Sequence, residues 1–432
     1  RDTSYRISKD TSGGYGTGNN FGYSFIPKML MKMLKKYSEW PPLFAAYTHA
    51  VLKDKGHEVE YKNTLPENFD EFDFFIVVTS IVCCETEIEV IKKLKNKNKK
   101  IFAIGPFATN ISNIFVKAGA TVIHGEPEFY FLGNQNFDED LKKDVVYFEN
   151  KHNIDDLPYP KWEQLQKNEK KINIKLYGNY KSIPIIATRG CPFSCARYCV
   201  YPLQQGNKVR QRNVKKIVDE IEYWKSKHKV NMFIFRDPVF SINKKHTAEF
   251  CNEIIKRNLR IKFVIETHLK ILDSKLILLL KKAGLKAVKV GIESSDPNVL
   301  KKESRFTVEK DEQLQKIREL EKNSLQISSM FIIGFPSDNK ETINNTINYA
   351  KYLNTTYAQF SVWTPYPGTP VFSDYKNDII VKKYEEFDQY RLVYKHNKFD
   401  ETQIRYYLDK AYSKYYSRFS WVLKYFKSFI TA

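Results

Sequence analysis

Between residues 41 and 130 the chain alternates between two hydrophobic rhythms. "PPLFAAYTHAVLKDKGHEVEY" carries a helical stripe that stops near Gly56 and gives way to an alternating stretch, so a helix followed by a strand is expected there. "DFFIVVTS" (73–80) is a short unbroken apolar run of the kind that parallel strands buried on both faces require. A helix is expected over 85–95, a strand in "KIFAIG" (100–105), a helix near 109–118 and a strand in "ATVIHG" (120–125). This β/α alternation predicts a Rossmann-like, doubly wound parallel sheet. Its first strand should precede the helix at 43–54. No strand pattern is found there, and because the chain starts at Arg1 that strand is expected to belong to a preceding segment.

A second alternating series begins at 183. Its predicted strands are "IPIIAT" (183–188), "NMFIFR" (231–236), "IKFVIE" (261–266), "KAVKVGI" (286–292), "QISSMFII" (326–333) and "AQFSVW" (358–363). Helical patterns at 212–227, 245–257, 274–283, 308–322 and 340–353 separate them. Six such units predict a partial β/α barrel, two units short of a closed one. The expected organisation is therefore an α/β chain with a Rossmann-like domain (1–135), a polar linker (136–180) containing Pro158 and Pro160, a barrel (181–375) and a helical C-terminal region (376–432). In the last region Tyr415, Phe419, Val422, Phe426 and Ile430 recur at helical spacing between Lys414, Arg418, Lys424 and Lys427. Such a stripe either docks on its own protein, the reading we favour, or lies on a membrane surface.

Composition narrows the class. There is no secretory-signal pattern and no apolar run of the roughly 18 residues a spanning helix needs, so a cytoplasmic protein is expected. The net charge is +20, from 70 Lys and Arg against 50 Asp and Glu. The basic residues are dispersed, and the densest run, "KKLKNKNKK", reads as a solvated helix end. Nucleic acid is therefore a disfavoured partner.

Half of the six cysteines fall within "RGCPFSCARYC" (189–199), at Cys191, Cys195 and Cys199. Without a secretory signal a disulfide framework is not expected. Cuboidal iron–sulfur clusters take about one thiolate per iron, so three ligands leave one iron open to a substrate. A structural zinc site would need a fourth ligand, from Cys251 or a distant histidine.

The loop resembles the signature of the radical S-adenosylmethionine (SAM) superfamily, C-x3-C-x2-C after the first barrel strand. Here it reads C-x3-C-x3-C, so one extra residue must bulge. Further segments resemble the family in order: "FRDPVFSINKKH" with Asp237, "VIETHLKILD" with Glu266, "VGIESSDPNVLKK" with Glu293, "FIIGFPSDNKET" with Gly334 and Pro336, and "PYPGTPVF" (365–372). The resemblance, which covers roughly 180–375, implies a 4Fe-4S cluster on the three cysteines. It also implies SAM near Tyr198, Asp237, Glu266, Glu293 and Gly334, a 5'-deoxyadenosyl radical, and an electron donor such as flavodoxin or ferredoxin. Without the resemblance, Asp237 and Glu293 read equally well as helix caps or lysine partners.

Residues 1–135 resemble the cobalamin-binding domains that precede some radical SAM barrels. Ligands of open α/β sheets lie beyond the carboxyl ends of the strands. The resemblance places cobalamin at "TSIV" (Thr79, Ser80, Val82), "GPFATN" (Gly105, Pro106, Phe107) and "HGEPE" (Gly125, Glu126). Asp-x-His-x-x-Gly is absent, so no histidine on cobalt is expected from His49, His57 or His124. The glycine-rich "SGGYGTGNNFG" (12–22) fails the dinucleotide pattern and reads as a flexible loop over the cofactor cleft. Together these features imply a cobalamin-dependent radical SAM enzyme that most simply methylates an unactivated carbon of a small-molecule, lipid or peptide substrate. Two alternatives stand: cyclisation, rearrangement or oxidation by the same machinery, and a non-catalytic iron–sulfur or zinc module that binds acidic polymers. A tRNA methylthiotransferase-like role is disfavoured, because those enzymes need a second cysteine triplet near the N-terminus and only the adjacent pair Cys83 and Cys84 precedes the loop.

Overall fold

The structure is a computed structural model that describes residues 7–35, 40–134, 136–165 and 180–430. The first parallel sheet runs β1 (Phe74–Val78), β2 (Lys100–Ile104), β3 (Thr121–Ile123) and β4 (Val145–Val146), in that spatial order. Helices Cys84–Lys95 and Ser112–Ala118 make the crossovers, and the almost wholly buried helix Leu43–Asp54 packs against Pro127–Gly133.

Two expectations for this half change. Residues 57–61 keep the alternating burial of a strand but form none. His57 packs on Phe74 and Phe137 at the sheet edge, and its N–H turns back to the Leu52 carbonyl of the preceding helix at 3.0 Å. The segment read as linker supplies β4, whose two residues are too few to show a period. Its backbone pairs with β3.

The glycine-rich segment is also not a loose loop. Ile7–Ser8 pairs antiparallel with Thr17–Gly18, and Tyr15 is buried with its hydroxyl on the Pro367 carbonyl at 2.8 Å. The Ile81 N–H donates to the Tyr15 carbonyl at 2.9 Å. Gly16 makes this possible: at φ +99° a Cβ would sit 2.7 Å from Val82 Cγ2. Residues 7–22 thus form a strap across the carboxyl ends of β1 and β2.

The second sheet has six parallel strands in chain order: β5 (Ser182–Ile185), β6 (Met232–Phe235), β7 (Lys262–Thr267), β8 (Leu285–Glu293), β9 (Gln326–Ile333) and β10 (Tyr357–Val362). Helices Val214–His228, Lys244–Lys256, Ser274–Ala283, Lys310–Lys322 and Lys340–Leu353 connect them and close one face with a continuous apolar core. The other face holds a separate small cluster of Met232, Ile234, Val264 and Ala287.

The C-terminal region docks on β10. In helix Glu401–Tyr416, Tyr412 and Tyr416 lie one turn apart and meet Phe360 and Ala358, two residues apart on the strand. One helical turn of about 6 Å matches two strand residues. Helix Phe419–Ile430 follows, tied down by Trp421 Nε1 on the Thr356 carbonyl and by Lys424 on Glu321. Phe419 and Leu423 remain exposed; the side chains of Phe426 and Ile430 lie outside the described residues.

Candidate active site

The three cysteines follow β5 on a loop pinned at both ends. Asp237, buried just beyond β6, accepts from the Ala187 N–H at 3.0 Å, from the Thr188 hydroxyl at 2.7 Å and from the Thr188 N–H. Its carboxylate is thus committed to the strand that launches the loop, so the structure gives Asp237 a positioning task in place of a free surface toward SAM. Burial pushes its carboxyl up to about 7. Gly190, at φ +87°, lies so close to the Lys208 carbonyl that a Cβ would be 2.2 Å from its oxygen. Arg189 reaches back to the first half, with Nη1 2.5 Å from Glu126 and Nη2 2.5 Å from Glu128; Arg210 adds a bond to Glu126 at 2.7 Å.

The extra residue between the second and third cysteines is absorbed by a 3-10 turn over Ser194–Arg197, closed by the Tyr198 and Cys199 N–H groups on the Cys195 carbonyl. The thiols lie within electrostatic reach of one another. Burial raises those of Cys191 and Cys199, neighbouring thiols raise them further, and Arg305 opposes the rise. Cys251 is elsewhere, sealed inside helix Lys244–Lys256, and its thiol is pushed up to about 12 by burial alone. The imidazole nearest the loop is His268, against Phe193, and both its nitrogens are engaged. One meets the Phe306 carbonyl at 2.9 Å and the other accepts from the Lys270 N–H. As a donor set, three thiols with no fourth cysteine or free imidazole beside them among the described residues suit a cubane that offers one open iron. Among the described residues no three His, Cys, Asp or Glu, these three cysteines included, converge on a single ion.

Glu293 ends β8 where the register with β9 shifts, and it adopts the left-handed region at φ 66°, uncommon for a side-chain-bearing residue. That turn brings its carboxylate to 3.2 Å from Arg305 Nη2. The same guanidinium donates to the Gly291 carbonyl and, at 3.4 Å, to Cys195 Sγ. Arg305 is the residue that sequence reasoning missed: a lone arginine in "KKESRFT" carries no local signal. Tyr198, packed on Phe335, lies in the same electrostatic neighbourhood as Glu293 and Arg305. Glu266, held above the usual carboxylate range by burial, is the register partner of Lys289 on β8 and also feels Arg305. These residues therefore gather around the cysteine loop. Gly334 stands at the end of β9, its carbonyl bound by the Tyr394 hydroxyl at 3.0 Å.

The radical SAM superfamily domain matches residues 185–350. The chain thus carries a radical SAM domain over those residues. An uncharacterized methyltransferase of Pyrococcus horikoshii is 26% identical over 412 residues, 88% of each chain. A bacteriochlorophyllide d C-12(1)-methyltransferase of Chlorobaculum tepidum is 23% identical over 78% of this chain and 73% of its own. An anaerobic magnesium-protoporphyrin IX monomethyl ester cyclase of Rubrivivax gelatinosus is 30% identical, but over 54% of this chain and 41% of its own. The fold is shared with a radical SAM methyltransferase from Kitasatospora setae solved with cobalamin and a [4Fe-4S] cluster: TM-score 0.60, 17% identity, 78% and 75% of the two chains. It is also shared with a cobalamin-dependent SAM radical enzyme solved with aqua-cobalamin: TM-score 0.51, 13% identity, 73% and 48% of the two chains.

The residues expected at cobalamin are occupied within the chain. The Thr79 hydroxyl donates to the Ile104 carbonyl and accepts from the Ala108 N–H, and Ser80 is bound through both N–H and hydroxyl to Glu87. Val82 is packed under Gly16, and Phe107 under Tyr15. Gly105, before Pro106, has Phe44 within 2.8 Å of where a Cβ would be. The Gly125 N–H is bound by Thr109, and Glu126 is spent on the two arginines. With these groups bound within the chain and the strap lying over the carboxyl ends of β1 and β2, the residues as packed do not fit cobalamin.

Proposed function

We propose that this chain is a radical SAM methyltransferase acting on an unactivated carbon. The observation that carries the reading is the Arg305 guanidinium spanning Cys195 and Glu293, beside a loop with three thiols and no fourth ligand. Cys191, Cys195 and Cys199 would hold the cluster. With SAM bound, that group would pass on one electron from the external donor to break the C5'–sulfur bond of one SAM, giving methionine and the 5'-deoxyadenosyl radical, and the transferred methyl would come from a second SAM. The protein's part is to hold and orient. Asp237 fixes the start of the loop, and Arg305 places a positive charge against Cys195. Glu293 and Glu266 offer carboxylates where an α-amino group can be received.

Methyl transfer is supported by the methyltransferase names of two relatives that align over most of this chain. Cyclisation remains the second reading, favoured by the cyclase relative. Cobalamin as methyl carrier is supported by the two cobalamin-bound neighbours, and with the strap over the strand ends we route no step through it. Partial-barrel geometry, a cytoplasmic site of action and a flavodoxin- or ferredoxin-type donor belong to the same proposal. Anaerobic incubation of the reconstituted protein with reductant and methyl-labelled SAM should yield 5'-deoxyadenosine and labelled product. An intact cluster that yields neither would refute the reading.

A further inference from the structure

Cross-strand register lays the inner face of the second sheet out in rows. Ile234, Val264 and Ala287 are neighbours and form an apolar floor. Two residues further along each strand, about 7 Å nearer the cysteine loop, come Arg236, Glu266 and Lys289. The next row on β8 is Gly291, with Glu293 and Arg305 above it. A charged layer therefore separates an apolar floor from the SAM-side residues.

The charges in that layer do not balance. Glu293 is matched by Arg305. Glu266 faces both Arg236 and Lys289, which leaves one positive charge over. Lys289 makes no hydrogen bond or ion pair among the described residues, and burial beside Arg236 lowers its ammonium to about 8. Charges withdrawn from water need partners. The missing one comes from outside the barrel: Asp10 of the strap lies 3.4 Å from Arg236 Nη2 and accepts from the Tyr201 hydroxyl at 2.8 Å.

We propose that Arg236 and Lys289 recognise an anionic group of the substrate, a carboxylate or a phosphate, whose place Asp10 takes in the present arrangement. The assignment rests on the catalytic reading above and names the substrate class for it. A ligand anchored in the charged layer would have its uncharged carbons one row from Glu293 and the cysteine loop, where hydrogen abstraction has to occur. Entry of the anion releases Asp10, and with it the strap that lies over the carboxyl ends of β1 and β2.

The test titrates inorganic phosphate, glutarate and neutral glutaramide into the reconstituted full chain by calorimetry. One anion is expected to bind and glutaramide is not, the better anion telling phosphate from carboxylate. Asp10→Asn, which removes the resident competitor, should tighten anion binding roughly tenfold. Lys289→Met and Arg236→Gln should each weaken it roughly tenfold, the scale of one charge contact in a partly desolvated site. Lys289→Arg should restore it. Binding of glutaramide as tight as that of the anions, no anion binding, or an Asp10→Asn affinity equal to wild type would overturn the proposal. SAM cleavage by the wild-type preparation is read in parallel. Its absence with selective anion binding intact counts against the catalytic reading alone, and cleavage without selective binding counts against this proposal alone.

Discussion

The Tyr412 hydroxyl accepts from the Phe360 N–H at 3.1 Å and donates to the Phe360 carbonyl at 2.9 Å. Tyr416 does the same for Ala358, at 3.0 and 2.7 Å. An outermost strand ordinarily leaves such groups bare and invites pairing with another chain. Here two phenols stand in for a seventh strand. Tyr412→Phe should leave a buried N–H and carbonyl unpaired and cost about 1–3 kcal/mol, read from urea unfolding. The double variant with Tyr416→Phe should also raise aggregation on refolding. Unchanged stability would mean that the helix caps the edge by packing alone.

Deleting residues 419–432 should leave liposome co-sedimentation unchanged, because Trp421 and Lys424 tie that helix to the body of the protein. Loss of pelleting on truncation would instead assign the exposed Phe419 and Leu423 to a membrane surface.

Glu126 joins the first half of the chain to the cysteine loop through Arg189 and Arg210, which hold its carboxylate below the ordinary range despite burial. Glu126→Gln should leave Arg210 without a carboxylate and Arg189 with Glu128 alone, at a cost of about 3 kcal/mol. Iron content should fall with it. A variant of wild-type stability would show that the bridge contributes little.

His49 is buried in helix Leu43–Asp54, and burial lowers its imidazole to about 4. A group whose folded value lies below its unfolded value contributes stability above the unfolded value and loses it as pH falls. Stability should therefore decline from about pH 6.5 toward pH 4, and His49→Gln should flatten that part of the profile. Identical pH profiles for the two proteins would contradict this.

Much of this was legible from patterning. All six strands of the second sheet and the helices between them lie within a few residues of where apolar periodicity places them, because each is long enough to show its period. The cysteine loop was legible because its three cysteines are close in sequence. Arg305, Asp10 and β4 were not. Arg305 meets Cys195 across 110 positions and Asp10 meets Arg236 across 226, and a two-residue strand has no period. The loops expected at cobalamin follow the carboxyl ends of β1, β2 and β3, and no pattern in them shows that the glycines of the strap let it pack down there. Asp237 was expected beside SAM, and its carboxylate instead holds the Ala187 and Thr188 N–H groups, backbone partners that no side-chain pattern records.

The most direct test is the paramagnetic resonance spectrum of the reduced, reconstituted protein with and without SAM. The account predicts a cubane signal held by Cys191, Cys195 and Cys199 that shifts when SAM is added and is lost when any one of the three is changed to alanine. A signal indifferent to SAM, or one that survives Cys191→Ala but disappears in Cys251→Ala, would contradict it.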